Sequence, residues 1–332
     1  VKQSLLAQLN ERLEIEISVE EIQLDLFTNF PRGSLRLREI NSREKTSSAG
    51  KSLLKAGEVA LLFNLADIIR GNYKIERINL EDAFLNLAVQ EDGKVNYQIF
   101  RKDPGTDSEM SVNLKKVHFK NVVISYIHLP SQQEYLFRID GGNLEGTFSS
   151  RLQQFHFDGN IHSTHIKSGR NVFLVDRVLS LDTEMAIDKD QNTVRFLNGD
   201  IESEGLNFNL TGNVVTREIN KNLSLDIIVE RSSVHSLFNF IPPEYLEPVN
   251  DIELDGEVTM TVNIDGNFSG NHIPGINVQF TVEEGSFLHK KSGLTLSELM
   301  FDGIFTNGES RSEKSYALSI SNIPVSYTHL TL

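Results

Sequence analysis

The sequence predicts a mostly β protein with a few short helices. Apolar and polar residues alternate with a period of two along most of the chain, which is the spacing of a strand with one buried face. Gly, Asn and Asp interrupt this alternation at short intervals, as turns between strands require. Helical spacing of apolar residues is confined to three short stretches, so strands dominate the prediction.

The first stretch predicts an N-terminal amphipathic helix. Leu5, Leu9 and Leu13 recur at four-residue spacing among polar residues, which places them on one helix face. Strand alternation follows from Ile15 and reverses its phase at Glu20-Glu21. Because a phase reversal moves side chains to the other face of a strand, we expect a bulge or a tight turn there.

Residues 30–99 predict short strands and a second helix. Turn residues at 30–33 separate the first two strands, and Asp82 marks a break in a later one. Asn64 stands where it would cap a short helix, 65–70. The Asp92-Gly93 pair favours a tight hairpin. The predicted strands of this block lie at 35–40, 59–63, 78–80, 85–89 and 95–99.

Residues 111–323 continue the two-residue period in a long series of short strands. A single interruption follows Ser232 and Ser233, either of which is a suitable cap for a short helix that ends before Pro242. We therefore predict four regions along the chain. They are an α+β region at 1–100, a linker at 101–110, a β region at 111–323, and a non-native tail at 324–332, where the strand pattern stops abruptly.

Composition excludes several classes of function. The net charge of −14 provides no positive field for nucleic acid or for an anionic membrane surface. The chain has no cysteine, which excludes disulfides, thiol catalysis and thiolate metal ligands. It also has no run of about 20 apolar residues of the kind that spans a bilayer.

Catalytic and metal-binding motifs are absent from the sequence. A strand would direct His162 and His165 to opposite faces, so a shared metal site is not expected. Residues 188–192 begin like a calcium loop, but Thr193 and Gly199 occupy the positions that need glycine and glutamate. Nucleophile elbows, phosphate-binding loops and dinucleotide fingerprints are missing. We predict no enzyme activity, no catalytic residue, no metal and no cofactor.

The alternation leaves one class of function open, in which an apolar sheet face is the surface that binds other groups. Such a face is covered either by a second sheet, as in a β-sandwich scaffold, or by acyl chains held in a curved sheet, and the pattern alone favours neither. The alternation selects the candidate groove positions. These are Leu85, Leu87, Val89, Leu206, Phe208, Leu210, Leu223, Leu225, Ile227, Val258, Met260, Val262, Ile276, Val278 and Phe280.

Two segments, 10–40 and 53–100, resemble the N-terminal region of the AsmA family, and their motifs occur in the family's order. The stretches 199–214 and 253–308 are similar to repeated β elements of that family, so the resemblance extends over most of residues 1–323. The motifs that carry it are Phe30-Pro31, Asp67-Ile-Ile-Arg-Gly71, Asp82-Ala-Phe84 and Asp92-Gly-Lys-Val-Asn-Tyr97.

The AsmA resemblance implies a periplasmic region of an inner-membrane protein, anchored by one transmembrane helix that precedes this segment, in a bacterium with a Gram-negative envelope. It implies an elongated, curved, taco-like antiparallel sheet related to bridge-like lipid transfer proteins. The groove would hold phospholipid acyl chains and support lipid transport toward the outer membrane. The alternative is a structural or assembly factor with a packed β core, which would act on outer-membrane or other envelope proteins.

Overall fold

The computed structural model divides the chain into two compact units, residues 1–189 and 190–332. The structure describes residues 15–44, 52–70, 75–97, 116–148, 152–169, 171–217, 220–240, 251–268, 272–311 and 315–322.

Unit 1 consists of nine described strands and one short helix, α1 (Leu65–Ile69). The strands are β1 (Ile15–Asn29), β2 (Arg32–Glu44), β3 (Ser52–Asn64), β4 (Ile75–Val89), β5 (Lys116–His128), β6 (Gln133–Phe148), β7 (Leu152–Ser168), β8 (Asn171–Phe173) and β9 (Arg177–Asp188).

The strands of unit 1 pair largely in sequence order. The order is β1-β2-β3-β4-β5-β6-β7-β9, with β8 paired to β7. All pairs are antiparallel except β4 with β5, which are parallel. A parallel neighbour requires the chain to return to the starting end of the strand, and residues 90–115 stand between β4 and β5 in the sequence.

Unit 2 consists of seven described strands and one helix, α2 (Val234–Phe240). Each strand pairs antiparallel with the strand that precedes it in the unit. The strands are β10 (Thr193–Ser203), β11 (Leu206–Arg217), β12 (Asn220–Ser233), β13 (Ile252–Phe268), β14 (Gly275–His289), β15 (Leu294–Thr306) and β16 (Ala317–Ser321).

A recurring four-residue step changes the phase of alternation within the strands of unit 1. In each step, two polar or glycine residues lie between two residues of the apolar face, as in Leu37-Arg38-Glu39-Ile40 of β2. The third residue adopts the left-handed region in three strands, at Glu39, Asp82 and Asn121, with φ of 51–52°. We call this the phase step. It reverses the facing of successive residues without ending the strand, so the apolar side chains stay on one side of the sheet.

The phase steps of neighbouring strands lie side by side, and the most buried residues of unit 1 lie next to them. Register places Asp82 of β4 beside Asn121 of β5, and the Asn121 side-chain amide donates to the Asp82 carboxylate at 2.6 Å. The residues that flank the steps form the most buried cluster, and Val122 is 0% exposed. The members of that cluster are Ile22, Leu37, Ile40, Ala56, Leu80, Ala83, Val117, Phe119, Val122 and Ile139.

The predicted mostly β, antiparallel chain with a few short helices is confirmed. The predicted N-terminal helix and the 101–110 linker lie outside the described residues. The strands on either side of that linker, β4 and β5, are sheet neighbours.

Both short internal helices are capped as expected. The Ala66 amide donates to the Asn64 side chain at 2.9 Å at the start of α1. The His235 amide donates to the Ser233 hydroxyl at 3.1 Å at the start of α2.

Three sequence predictions differ from the structure. β1 passes through Glu20-Glu21 without the expected bulge or tight turn, and β4 runs through the expected break at Asp82, because the phase step fits inside a continuous ladder. The predicted strand at 95–99 is reduced, in its described part, to a single bridge between Val95 and Val89. Lys94 and Gln90 close the intervening turn through a backbone hydrogen bond of 2.8 Å, which confirms the hairpin.

Candidate functional site

The inner face of unit 2 is defined here as the sheet face that carries Ile227. Directly paired residues of antiparallel strands share a face, so the register traces this face across the sheet. Ile227 pairs with Leu210 on β11 and with Val262 on β13, and Val262 pairs in turn with Val278 on β14. Four aliphatic side chains from four strands therefore form one row.

Parallel rows on either side of this one place the other predicted groove residues on the same face. Phe208 and Met260 flank Val229, and Met260 pairs with Phe280. In the other direction, Leu225 pairs with Ile264, which pairs with Ile276. The predicted residues that the inner face of unit 2 brings together are Leu206, Phe208, Leu210, Leu223, Leu225, Ile227, Val258, Met260, Val262, Ile276, Val278 and Phe280.

Most of these side chains are half-buried. Along β12 the odd-numbered residues from 221 to 227 are half-buried, whereas Asn222, Ser224 and Asp226 on the outer face are exposed. Leu206 and Val258 differ, since each is only 2% exposed. These two residues contribute packing, and the half-buried residues provide the accessible apolar surface.

Helix α2 covers one end of the inner face. Val234 of α2, Val258 of β13 and Val282 of β14 form a buried cluster, with Leu237 and Phe238 packed against it. In the described part of unit 2, the other extensive contacts between elements join neighbouring strands. The rows of Ile227 and Leu225 therefore have no second layer of described structure above them.

The opposite end of the same face carries a cation. Lys221 belongs to the odd-numbered series of β12, and it pairs with Thr216 on β11 and with Phe268 on β13. Desolvation by burial lowers the pKa of its ammonium group from the usual value. A second cation lies near this end, because the guanidinium of Arg311, which follows β15, lies beside Gly266, the partner of Leu223 on β13.

The inner face of unit 1 holds the other three predicted residues. Leu85 pairs with Leu54 and with Ile124, and Leu87 pairs with Tyr126. Val89 ends the strand and is buried. The structure therefore divides the predicted positions between two faces, one in each unit.

A tyrosine pair lies at the end of the unit 1 inner face. The rings of Tyr126 and Tyr135 stack at a centroid distance of 5.5 Å. Burial raises the pKa of Tyr126 to about 12, with smaller contributions from Tyr97 and Tyr135. The hydroxyl groups of these half-buried phenols are polar groups next to the aliphatic residues of this face.

Charges on the outer face of unit 1 form ladders across strands. Arg38 of β2 bonds to Glu58 of β3 at 3.1 Å and to Glu21 of β1 at 3.3 Å. Lys120 of β5 pairs with Glu81 of β4 at 3.2 Å. These residues belong to the phase steps, which therefore separate charge from the apolar side of the sheet.

The expectation that His162 and His165 point to opposite faces is wrong. The register shifts between their positions, so that Phe137 pairs with Ser163 and Leu136 with His165. This bulge returns both histidines to the outer face. Each has its own carboxylate, His162 with Asp176 at 2.6 Å and His165 with Glu134 at 3.5 Å.

Neither a cluster of metal-ligating side chains nor a membrane-spanning helix occurs in the part of the chain that the structure describes. Within it, no three His, Asp or Glu side chains come together as a metal site. Its longest helix, α2, has seven residues, and no described helix has the length and hydropathy to cross a membrane.

No protein-family model, curated protein or solved structure matches this chain. The AsmA resemblance is therefore a prediction that rests on the quoted motifs.

Sequence reasoning missed Lys221 because it selected apolar residues only. The signal was present, since Lys221 stands in phase with Leu223, Leu225 and Ile227 in the stretch Asn-Lys-Asn-Leu-Ser-Leu-Asp-Ile. The position of α2 over the inner face depends on a tertiary contact, whereas the local pattern predicts only that an apolar helix is present.

Proposed function

We propose that this chain is a non-enzymatic lipid-binding protein whose inner sheet faces hold acyl chains. The observation that carries the proposal is the unit 2 face, where half-buried aliphatic side chains align in register across four strands. An aliphatic trough of this kind substitutes for the bilayer interior. The outer face, with Asp226 and its polar neighbours, stays in water.

The energy available from such a face is sufficient for binding. Removal of acyl methylenes from water contributes about 0.8 kcal/mol each, or about 10 kcal/mol for a run of about twelve. Ordering of the chain and loss of its free motion offset part of this sum. A micromolar complex requires about 8 kcal/mol, so the partial cover of a sheet face supports micromolar or weaker affinity.

The cellular role that we propose is lipid transport or outer-membrane biogenesis in the periplasm of a bacterium with two membranes. The order of the AsmA-like motifs in residues 10–40 and 53–100 supports this role. In that role the ligand is phospholipid, and an inner-membrane helix anchors the protein. Transport along a trough needs no bond to be made or broken, so the proposal assigns no catalytic residue, metal or cofactor.

A second candidate is an assembly factor that binds other envelope proteins. The buried cluster around Val122 in unit 1 favours this candidate for that unit, since side chains as buried as these have no surface left for a ligand. Under this reading the strands form a scaffold, and partners bind its edges or loops.

The first experiment uses two adjacent isoleucines of β12 as a matched pair. Ile227 lies on the inner face, whereas Ile228 lies on the outer face and is 45% exposed. The full chain and its Ile227→Glu and Ile228→Glu variants are purified without detergent. The lipids that co-purify with each protein are extracted, and their amount per protein is quantified by mass spectrometry. Circular dichroism establishes that each variant is folded.

The expected result is stoichiometric phospholipid in the wild type and in Ile228→Glu, and its loss in folded Ile227→Glu, because a bound acyl chain would remove the Glu carboxylate from water without giving it a partner. A folded, lipid-free wild-type chain would refute lipid binding and favour the assembly factor. Equal lipid in all three proteins would remove the unit 2 face from the site.

A further inference from the structure

The last strand of unit 2, β16, is an apolar edge of the sheet. Among the described residues, β16 pairs with β15 and with no strand on its other side. Register places Leu318 opposite Phe305 and Ile320 opposite Gly303, so both aliphatic side chains belong to the inner face. Leu318 is 60% exposed and Ile320 is 49% exposed. A row of backbone groups without ladder partners therefore lies beside two exposed aliphatic side chains.

The composition of β16 favours pairing with another strand. Sheet edges in natural proteins are commonly blocked by charged side chains or proline. β1, the first strand in the sheet order, carries four acidic residues, which are Glu16, Glu20, Glu21 and Asp25. The sequence of β16, Ala-Leu-Ser-Ile-Ser, contains neither a charge nor proline. Two copies of β1 would bring carboxylates together, whereas two copies of β16 meet without charge repulsion.

We propose that two copies of this chain pair through β16 in an antiparallel dimer with two-fold symmetry. A two-fold axis at Ser319, perpendicular to the sheet, places Ser319 opposite itself. Leu318 of each copy then lies opposite Ile320 of the other copy. Ala317 lies opposite Ser321 in the same way, so one strand supplies both halves of the interface.

The apolar alternation of β16 selects this register. Directly paired residues of antiparallel strands share a face, so the Leu318 and Ile320 side chains of both copies lie on one side. A shift by one residue would place Leu318 opposite Ser319 and turn the apolar side of one copy to the polar side of the other. In the selected register, the inner faces of unit 2 from two copies join into one apolar surface.

The small size of the interface predicts a reversible dimer. Two strands of five residues form a short ladder of hydrogen bonds, with a Leu318–Ile320 contact on either side of the axis. A standard stable interface buries about 1,600 Å² and involves about 20–30 residues on each side. We therefore expect monomer and dimer in an equilibrium that depends on concentration. Neither the dimer nor its tests require a bound lipid, so their failure would leave the proposed function standing.

The register is tested with single cysteines, because the natural chain has none. The full-length variants Ser319→Cys, Ala317→Cys and Ser321→Cys are each oxidised with copper phenanthroline, and covalent dimers are measured by electrophoresis without reductant. Directly paired Cβ atoms lie about 4.5–5.5 Å apart, close to the spacing of a disulfide. Two copies of Ala317 would lie four residue steps apart along the strand, which is about 14 Å.

We expect Ser319→Cys to form the covalent dimer at least about tenfold faster than Ala317→Cys or Ser321→Cys alone, because only its thiols are directly paired. A mixture of Ala317→Cys and Ser321→Cys should form the mixed dimer at a rate close to that of Ser319→Cys. Equal rates for the three single variants, or no covalent dimer in any of them, would overturn the inference.

The equilibrium is tested by sedimentation velocity over a series of protein concentrations. The wild-type chain is compared with Ile320→Lys, which introduces a charge at the edge, and with Ile228→Lys, which changes a 45% exposed isoleucine on the outer face of β12. Circular dichroism establishes that each variant is folded. We expect Ile320→Lys to weaken the dimer at least about tenfold, because pairing would desolvate an ammonium group without giving it a partner. Ile228→Lys should dimerise like the wild type.

Two results of this measurement would refute the dimer. The first is a wild-type chain that sediments as a monomer at every concentration up to its solubility limit. The second is equal dimerisation of the wild type and folded Ile320→Lys, which would place any self-association away from β16.

Discussion

Replacement of Val258 by alanine separates packing from ligand binding on the inner face of unit 2. Val258 is 2% exposed beneath α2, and the change removes two buried methyl groups. Their transfer accounts for about 1.6 kcal/mol, and the cavity left behind raises the cost to about 2–3 kcal/mol. With a urea dependence of about 2 kcal/mol per molar, the midpoint of the unit 2 transition should fall by about 1 M.

Urea unfolding followed by hydrogen exchange and mass spectrometry measures this change unit by unit. Peptides from α2 and β13 should lose protection at lower urea in Val258→Ala, whereas peptides from β5 and β6 should not. Val178→Ala is the control, since Val178 is 55% exposed. An unchanged midpoint for α2 and β13, or an equal loss in unit 1, would refute the assignment of Val258 to a helix-covered core.

Two further predictions concern buried polar groups. Asn307 is 3% exposed, and its side chain accepts a hydrogen bond from the Ile276 amide and donates one to the Pro274 carbonyl, each at 2.8 Å. Asn307→Ala should lower the free energy of unfolding in urea by about 2–4 kcal/mol, because it leaves both backbone groups unsatisfied. A loss below about 0.5 kcal/mol would show that the two groups find other partners. Because burial raises the pKa of Tyr126 to about 12, one phenol should ionise well above pH 10 in ultraviolet titration, and Tyr126→Phe should remove that step. The folded state holds this proton after the unfolded chain has lost it, so the contribution of Tyr126 to stability declines as pH rises from about 10 through 12; a Tyr126→Phe titration identical to that of the wild type would contradict the assignment.

The two-residue period predicted most of the strands because it is a direct consequence of one buried sheet face. Alternation selects Leu225, Ile227 and Val262 as candidates within their own strands, and the register between β12 and β13 then places them on one face. Local pattern also located α2, since Ser233 caps an apolar stretch that ends before two prolines.

The features that sequence reasoning missed depend on neighbouring strands. A phase reversal at Glu20-Glu21 predicts a bulge or a tight turn when β1 is considered alone, yet the adjacent Glu39 adopts a positive φ and the ladder continues. The bulge that returns His165 to the face of His162 exists only relative to β6. Likewise, the parallel pairing of β4 with β5 depends on the path of the long connection between them, which alternation does not encode.

The sequence-ordered pairing of unit 2 has a consequence for how the unit is made. Each strand finds its partner in the segment synthesised just before it, so folding requires no distant segment to arrive first. A strand as long as β13, with 17 residues, takes about one to three seconds to synthesise. Hairpin formation takes microseconds, so the growing sheet keeps pace with the chain. The edge that templates the next strand is always the most recently completed one.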